Sequence, residues 1–240
     1  WRSPVAHGRI VDIGVPADLR GQVFAWPDMT GVKPITAQST LPGYQVSDYA
    51  PLADGVVRFV GEPVAVAVAP TRAEAEDRVA LLTPAIDELP PLADVWSSLK
   101  SAVPMHAGWK NNLFIELKRD DDFAALDGRV AHVVKREFHM NRQSMSPLEG
   151  KAVLAHWDDQ RNQLVVYSST QVPHMIRSGL AECLGLPLAQ LRVIAPDVGG
   201  GFGSKIFLYA EETALVWASK RVGRPIKWTA ERSEAFLTDA

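Results

Sequence analysis

The residues best suited to chemistry form a glycine-rich loop, residues 199–203, in which four glycines surround one aromatic side chain, Phe202. The apolar run before it, residues 191–196, predicts a buried strand, and residues 209–222 after it predict a helix. Glycines let backbone N–H groups approach a ligand because no Cβ atom stands in the way. A tight turn with close backbone packing is the alternative, but the density of glycines favours a ligand site.

The loop fits neither of the common nucleotide-binding patterns. A P-loop ends in Gly-Lys followed by Ser or Thr, whereas here Gly203 is followed by Ser204, Lys205 and Ile206. The dinucleotide fingerprint G-x-G-x-x-G would need a glycine at position 204, and an acidic residue about twenty positions further on is also missing. We therefore expect the loop to approach a group other than a nucleotide phosphate.

Composition excludes several classes of protein. The 240 residues carry a formal net charge of −3, so the chain lacks the excess of basic residues that is typical of nucleic-acid-binding proteins. No apolar run approaches the length of a membrane span, and no signal peptide or twin-arginine segment is visible, which favours a cytoplasmic protein and leaves periplasmic export with a partner open. The single cysteine, Cys183, excludes an iron–sulfur cluster and an internal disulfide. The six histidines show no helical pairing, so no protein-ligated metal is expected.

The first half of the chain predicts a small α/β unit. Residues 56–60 and 63–69 resemble the two arms of a hairpin joined by Gly61 and Glu62. Thr71 and Glu74 form a capping box, which predicts a helix that runs to about Leu82. Residues 99–128, rich in Ser, Pro, Gly and Asn and including a charged run at 118–122, predict a solvated linker.

The second half alternates strands with helices. Strands are predicted at 130–137, 151–157, 163–168 and 225–228. A helix is predicted at 173–184, with Met175, Ile176, Leu180, Cys183 and Leu184 on its apolar face and Gly185 as its stop. Cys183 is accordingly expected to be an inert core residue. The fold class is therefore mixed α/β, or α+β.

Four segments of the second half resemble the molybdenum hydroxylases of the xanthine dehydrogenase, aldehyde oxidase and CO dehydrogenase family. In chain order they are 139–150 (HMNRQSMSPLEG), 167–174 (YSSTQVPH), 198–205 (VGGGFGSK) and 223–228 (GRPIKW). Residues 2–10 (RSPVAHGRI) and 60–65 (VGEPVA) are similar to the small hammerhead domain of that family. The resemblance implies a hammerhead-like domain at 1–98, a linker at 99–128, and the first, incomplete part of a molybdopterin-binding domain at 129–240.

The resemblance also assigns site residues. In this family a glutamine hydrogen-bonds an oxo ligand of molybdenum, and that residue corresponds to Gln171, which is both catalytic and cofactor-binding. Alone, Gln171 would be interpreted as a cap at the start of a helix. The loop residues Gly200, Gly201, Phe202 and Gly203 would meet the cofactor through backbone N–H groups, with the Phe202 ring lining the substrate channel.

Other members of these motifs have less definite roles. Lys205 is either a cation near the cofactor or a solvated lysine. For Arg142, Glu149 and His174 we expect a salt bridge or a cap. Purine-oxidising members carry a glutamate directly after the loop lysine, where this chain has Ile206, so recognition of a xanthine-type ring is not expected.

The implied reaction is hydroxylation of an aldehyde or N-heteroaromatic carbon with water as the oxygen source. The implied cofactor is molybdopterin with molybdenum, as a dinucleotide, and electrons would leave through partner subunits carrying Fe–S clusters and FAD. The catalytic glutamate of the family lies in a later part of the subunit, and Glu211, Glu212, Glu231, Glu234 and Asp239 do not match it. The remaining part of the molybdopterin-binding subunit is therefore an expected partner, whether this chain is a truncated piece or one part of a split subunit.

Two other functions remain open. One is a non-catalytic piece that retains the fold and assists assembly, since the catalytic base is missing. The other is CO oxidation, for which a distinctive cysteine loop would be needed and the helical Cys183 is a poor candidate.

Overall fold

The computed structural model describes residues 1–118, 124–126 and 128–239 and has a mixed α/β architecture. Its strands are β1 (Gly8–Asp12), β2 (Val23–Ala25), β3 (Ile35–Ala37), β4 (Ser47–Tyr49), β5 (Val56–Val57), β6 (Ala65–Ala67), β7 (Ala85–Glu88), β8 (Ala152–Asp158), β9 (Gln163–Ser168), β10 (Leu191–Ile194) and β11 (Ile226–Thr229). Its helices are α1 (Arg72–Ala80), α2 (Val95–Lys100), α3 (Pro173–Leu184), α4 (Ala210–Val222) and α5 (Arg232–Thr238).

A four-stranded sheet in the order β10-β9-β8-β11 carries the glycine loop. β8 and β9 are antiparallel neighbours, whereas β10 runs parallel to β9, with Ile194 opposite Tyr167. Parallel strands end at the same edge of a sheet. The residues that follow β9, up to Gln171, and the glycine loop that follows β10 therefore start from one edge and can meet.

The main hydrophobic core lies between this sheet, α3 and α4, and it includes residues from the first half of the chain. Phe24, from β2, packs edge-on against Trp217 of α4, with ring centroids 5.3 Å apart. Met29 and Leu52 are buried in the same core. The first half of the chain thus supports the helix that directly follows the glycine loop.

The hairpin predicted for residues 56–69 is wrong. β5 pairs with β1, and β6 pairs with β2, so the two arms belong to different sheets. The buried Glu62 carboxylate accepts a hydrogen bond from the Arg58 N–H, which closes a tight loop at the point where the hairpin would need backbone pairing. The chain therefore changes direction between the two arms, and they do not pair with each other.

The local helix signals are confirmed. Thr71 and Glu74 form the capping box of α1, which ends at Ala80. α3 has the predicted bounds and ends at Gly185 in the left-handed conformation. Ile176, Leu180 and Cys183 are buried as predicted, but Met175 is exposed because it lies on the outer side of the helix.

The strand predicted at 130–137 is not formed, because this backbone pairs with no other strand of the described residues. Its neighbour Phe138 is 85% exposed. The predicted boundary at residue 98 falls within α2, and positions 119–122 of the charged run lie outside the described residues. In the part of the chain that the structure describes, no helix has the length and apolar character needed to cross a membrane.

Candidate functional site

The end of β9 is joined to the glycine loop by backbone and side-chain hydrogen bonds. The Gln171 N–H and the Thr170 hydroxyl both donate to the Lys205 carbonyl, each at 3.0 Å. Ser169 and Thr170 are buried, whereas the Gln171 side chain is exposed. This arrangement holds the Gln171 backbone beside the loop and leaves its amide group at the surface of the site.

The Gln171 amide has a defined orientation. Its Oε1 accepts hydrogen bonds from the Gly203 N–H at 3.1 Å and from the Lys205 N–H at 3.3 Å. Because both partners are donors, only the oxygen of the amide can face them. The Nε2 group, which has two N–H donors, makes no hydrogen bond within the described residues. Gln171 therefore presents a neutral donor outward from the loop.

Gly201 is required for the close approach of Gln171. A Cβ atom built on Gly201 would lie 2.3 Å from Gln171 Oε1 and 2.6 Å from its Cδ, far inside van der Waals contact. Gly199 is equally constrained, because a Cβ there would lie 2.7 Å from the Cβ of Glu149. Gly201 and Gly199 thus leave room for two side chains of this chain, those of Gln171 and Glu149.

A turn with unusual backbone angles forms the centre of the loop. Phe202 and Gly203 have φ angles of +52° and +95°, and the Ser204 N–H closes the turn by donating to the Gly201 carbonyl at 2.9 Å. A left-handed conformation costs a residue with a Cβ about 1–2 kcal/mol. Phe202 bears that cost while its ring is 73% exposed. A strained and exposed aromatic residue is typical of a functional position.

An ion pair between the buried Lys205 and the partly exposed Glu149 joins the two sides of the loop. Lys205 Nζ lies 2.6 Å from Glu149 Oε2, and the lysine side chain is 1% exposed. The same carboxylate accepts the Gly199 N–H at 2.8 Å. Partial burial raises the pKa of Glu149, but the hydrogen bonds and charge of its partners outweigh burial and leave the pKa below its usual value. The salt bridge expected for Glu149 is confirmed, and the solvated alternative for Lys205 is wrong.

Other motif members differ from the expectations. Val172, not Gln171, is the residue that caps α3, and it forms no side-chain cap, so the capping alternative for Gln171 is wrong. Arg142 and His174 are exposed, and their side chains form no salt bridge or cap with the described residues. The Gly203 N–H, one of the amides expected to face the cofactor, is used by Gln171.

The carboxylates that follow the loop are engaged elsewhere. Glu212 is buried against the Ser168 hydroxyl, and burial raises the pKa of this carboxyl. The others form ion pairs: Glu211 and Glu234 with Arg2, Glu231 with Arg72, and Asp239 with Lys151. None of the five lies beside the Gln171 amide as a free base. Within the described residues, no group of three or more His, Cys, Asp or Glu side chains could hold a metal ion.

Lys151 and Tyr209 also lie at the site, although neither is predicted from the sequence. Lys151 Nζ lies 3.5 Å from the centroid of the Tyr209 ring, and the Tyr209 hydroxyl donates to the Ser204 carbonyl at the end of the turn. A lysine directly after a motif glycine is the only signal that the sequence offers for this contact, and the aromatic partner lies 58 positions away. Such a contact cannot be predicted from spacing.

The sequence of this chain matches one protein family and is similar to the large subunits of known enzymes. Residues 105–240 match the family described as the molybdopterin cofactor-binding domain. The nicotine 6-hydroxylase large subunit of Paenarthrobacter nicotinovorans is 32% identical over 98% of this chain and 30% of that subunit. The carbon monoxide dehydrogenase large chain of Hydrogenophaga pseudoflava is 31% identical over 100% of this chain and 32% of that chain.

A solved structure is also similar over the whole of this chain. The crystal structure of quinoline 2-oxidoreductase from Pseudomonas putida 86 superposes with a TM-score of 0.93 and 34% identity, over 100% of this chain and 31% of that chain. The chain thus spans about a third of the length of the relatives it matches.

Proposed function

Because the chain belongs to the family of molybdopterin cofactor-binding domains, we propose that it forms part of the cofactor site of a molybdenum-containing hydroxylase. The proposed reaction is hydroxylation of an aldehyde or N-heteroaromatic carbon with water as the oxygen source. Two relatives that cover nearly the whole chain are named for N-heteroaromatic compounds, nicotine and quinoline, which supports the heteroaromatic class. Ile206, in place of a carboxylate, is consistent with an apolar ring.

The proposed organisation is the one that the family resemblance implies. Residues 1–98 form a hammerhead-like domain, 99–128 a linker, and 129–240 the first part of a molybdopterin-binding domain. The relatives are about three times longer, so the remaining part of the molybdopterin-binding subunit completes the site. With one cysteine, this chain needs Fe–S and FAD subunits to carry electrons away. The pterin is proposed to be a dinucleotide, and the complex to be cytoplasmic.

The residues beside the loop fit such a cofactor. Gln171 Nε2 is a neutral donor that stays protonated at every physiological pH, which suits a hydrogen bond to an anionic or oxo group. The positive charge of Lys205 is neutralised by Glu149, so the lysine does not compete for the same acceptor. Gly201 allows the amide to lie against the loop, where two backbone donors fix its direction.

The molybdenum carried by the bound molybdopterin would supply the two-electron redox centre, and the residues of this chain would orient the cofactor. Gln171 would hold the cofactor through Nε2. The exposed Phe202 ring would exclude water from the substrate side of the loop. The proton acceptor would come from the remaining part of the subunit, since the carboxylates that follow the loop are engaged in other contacts.

One observation carries this proposal: the Gln171 amide is fixed by two loop N–H groups with its donor end exposed. The test compares Gln171→Ala with Gln163→Ala in the complex purified from its native host. Gln163 is a matched control because it lies at the opposite end of β9 and its amide bonds only the Ala189 carbonyl. Molybdenum and pterin per polypeptide are measured together with turnover of aldehydes and N-heteroaromatic compounds.

We expect Gln171→Ala to lower turnover per bound molybdenum about 100-fold, while Gln163→Ala stays close to wild type. Equal turnover of the two variants would contradict the role of Gln171. A wild-type complex that contains no molybdenum and no pterin would instead support the non-catalytic assembly function.

A further inference from the structure

A buried lysine, Lys151, lines a small cavity together with Thr170, Lys205 and Tyr209. Lys151 is 5% exposed in its side chain, and its Nζ is 2.8 Å from Asp239 Oδ1 and 4.0 Å from Glu211 Oε2. The same Nζ lies 3.5 Å from the centroid of the Tyr209 ring. The function proposed above makes no use of this lysine, although a buried cation has a high desolvation cost.

Tyr209 connects the lysine to the loop. Its hydroxyl donates to the carbonyl of Ser204, the last residue of the strained turn. Ser204 is buried, and its N–H and hydroxyl both donate to the Gly201 carbonyl, at 2.9 and 2.8 Å. The tyrosine therefore holds the turn at Ser204, while Gln171 holds it at Gly203.

The first half of the chain extends this network. Arg2 contacts Glu211 at 2.8 Å and Glu234 at 2.9 Å. Glu211 lies in the first turn of α4, next to Lys151, and Glu234 lies in α5. A continuous series of charged contacts thus runs from Arg2 through Glu211 and Lys151 to the Tyr209 ring.

We propose that Lys151 is a positioning residue that acts through Tyr209 to hold the turn at residues 201–204. A cation over an aromatic face is attracted by the ring, strongly so when both are shielded from water. The contact also fixes the position of the ring, and with it the hydroxyl that donates to the Ser204 carbonyl. The catalytic consequence of this proposal rests on the proposed function, but the effect on loop order does not.

The test uses Lys151→Met in the purified complex, with Lys220→Met as the matched control. Lys220 Nζ also lies over an aromatic ring, 5.6 Å from the centroid of Trp157, but it is exposed and distant from the loop. Hydrogen exchange of a peptide covering residues 199–206 reports loop order without any need for turnover. The kcat per bound molybdenum and the KM are measured on the same preparations.

We expect Lys151→Met to accelerate exchange in this peptide about tenfold, with exchange in β8 and β9 unchanged. The kcat should fall about tenfold with little change in KM, and Lys151→Arg should restore most of both effects. Unchanged loop exchange in Lys151→Met, or an equal effect in Lys220→Met, would overturn the proposal.

A second variant covers the case in which Lys151→Met fails to fold, because that variant leaves Asp239 without its cation. Tyr209→Phe keeps the buried charges and the ring and removes the hydroxyl that bonds Ser204. We expect the same local acceleration of exchange, and its absence would overturn the proposal. If wild type contains no molybdenum while the exchange result holds, the proposed function fails and the positioning role is retained.

Discussion

Replacing Gly201 by alanine is expected to displace the Gln171 amide while leaving the fold intact. The new Cβ would lie 2.3 Å from Gln171 Oε1, 2.6 Å from Cδ and 2.9 Å from Cγ. An ordinary contact needs about 3.5 Å, so the glutamine side chain must move by about 1 Å or more. The displaced atoms belong to a flexible and exposed side chain, so the backbone does not need to move.

The expected cost in stability is small. Gln171 would lose its hydrogen bonds from the Gly203 N–H and the Lys205 N–H. Each is worth about 0.5–1.5 kcal/mol, and water can replace the exposed one, so we expect a loss of about 1–2 kcal/mol in the free energy of unfolding. The expected cost in function is much larger, because a misplacement of about 1 Å at a reacting centre can lower the rate about 100-fold.

A double-mutant cycle separates the proposed cause from other effects of the added methyl group. Turnover per bound molybdenum and urea unfolding are measured for wild type, Gly201→Ala, Gln171→Ala and the double variant. If Gly201→Ala acts by moving Gln171, it should cost almost nothing once Gln171 is already alanine. The coupling energy should then nearly equal the whole effect of Gly201→Ala, about 2.7 kcal/mol for a 100-fold loss.

Additive effects of Gly201→Ala and Gln171→Ala on turnover would show that Gly201 does not act through Gln171. If Gly201→Ala lowered turnover by the same factor with and without the glutamine, the methyl group would act directly on the loop or its ligand. Retention of full turnover by Gly201→Ala would refute the positional role of the amide itself. A loss of much more than 2 kcal/mol in the free energy of unfolding of Gly201→Ala would show that the loop backbone moves, rather than the Gln171 side chain.

Three further predictions concern titratable groups. The pKa of Glu149 is lowered in the fold, so its contribution to stability is present above the ordinary glutamate pKa of 4.5 and is lost as the pH falls below it. Urea unfolding should therefore show a deficit for Glu149→Gln at pH 7 that shrinks at pH 4, and a constant deficit would count against the ion pair. Burial raises the pKa of Glu212, so this group contributes a loss of stability as the pH rises through and above 4.5, and Glu212→Gln removes that contribution. The free energy of unfolding of this variant relative to wild type should increase with pH, and a difference that falls with pH would contradict this. Burial also raises the pKa of the Cys183 thiol to about 11, so iodoacetamide at pH 8 should label it in urea but not in the native chain, as mass spectrometry would reveal.

Elements with local signals could be predicted well. β9 and α3 have the predicted bounds, since their apolar periodicity and the stop at Gly185 lie within a few residues of one another. The capping box of α1 also depends on two residues three positions apart. The errors fall where pairing is not local: the strand at 130–137 needs a neighbouring strand, and the hairpin at 56–69 is broken by the buried Glu62.

The sequence alone determined which groups could do chemistry at the candidate site. It placed a glutamine after one strand and a glycine-rich loop after another, and it indicated a ligand other than a nucleotide phosphate. The family resemblance rests on the same segments, and the match of residues 105–240 confirms it.

Tertiary structure alone decided how those groups are used. The parallel pairing of β9 and β10 brings Gln171 to Gly203, 32 positions further along the chain, and so fixes which end of the amide faces outward. It also buries Lys205 against Glu149, 56 positions away, which changes a possible free cation into a neutral pair. Hydrogen bonds and ion pairs depend on distance and direction in space, and the spacing of residues along a chain specifies neither.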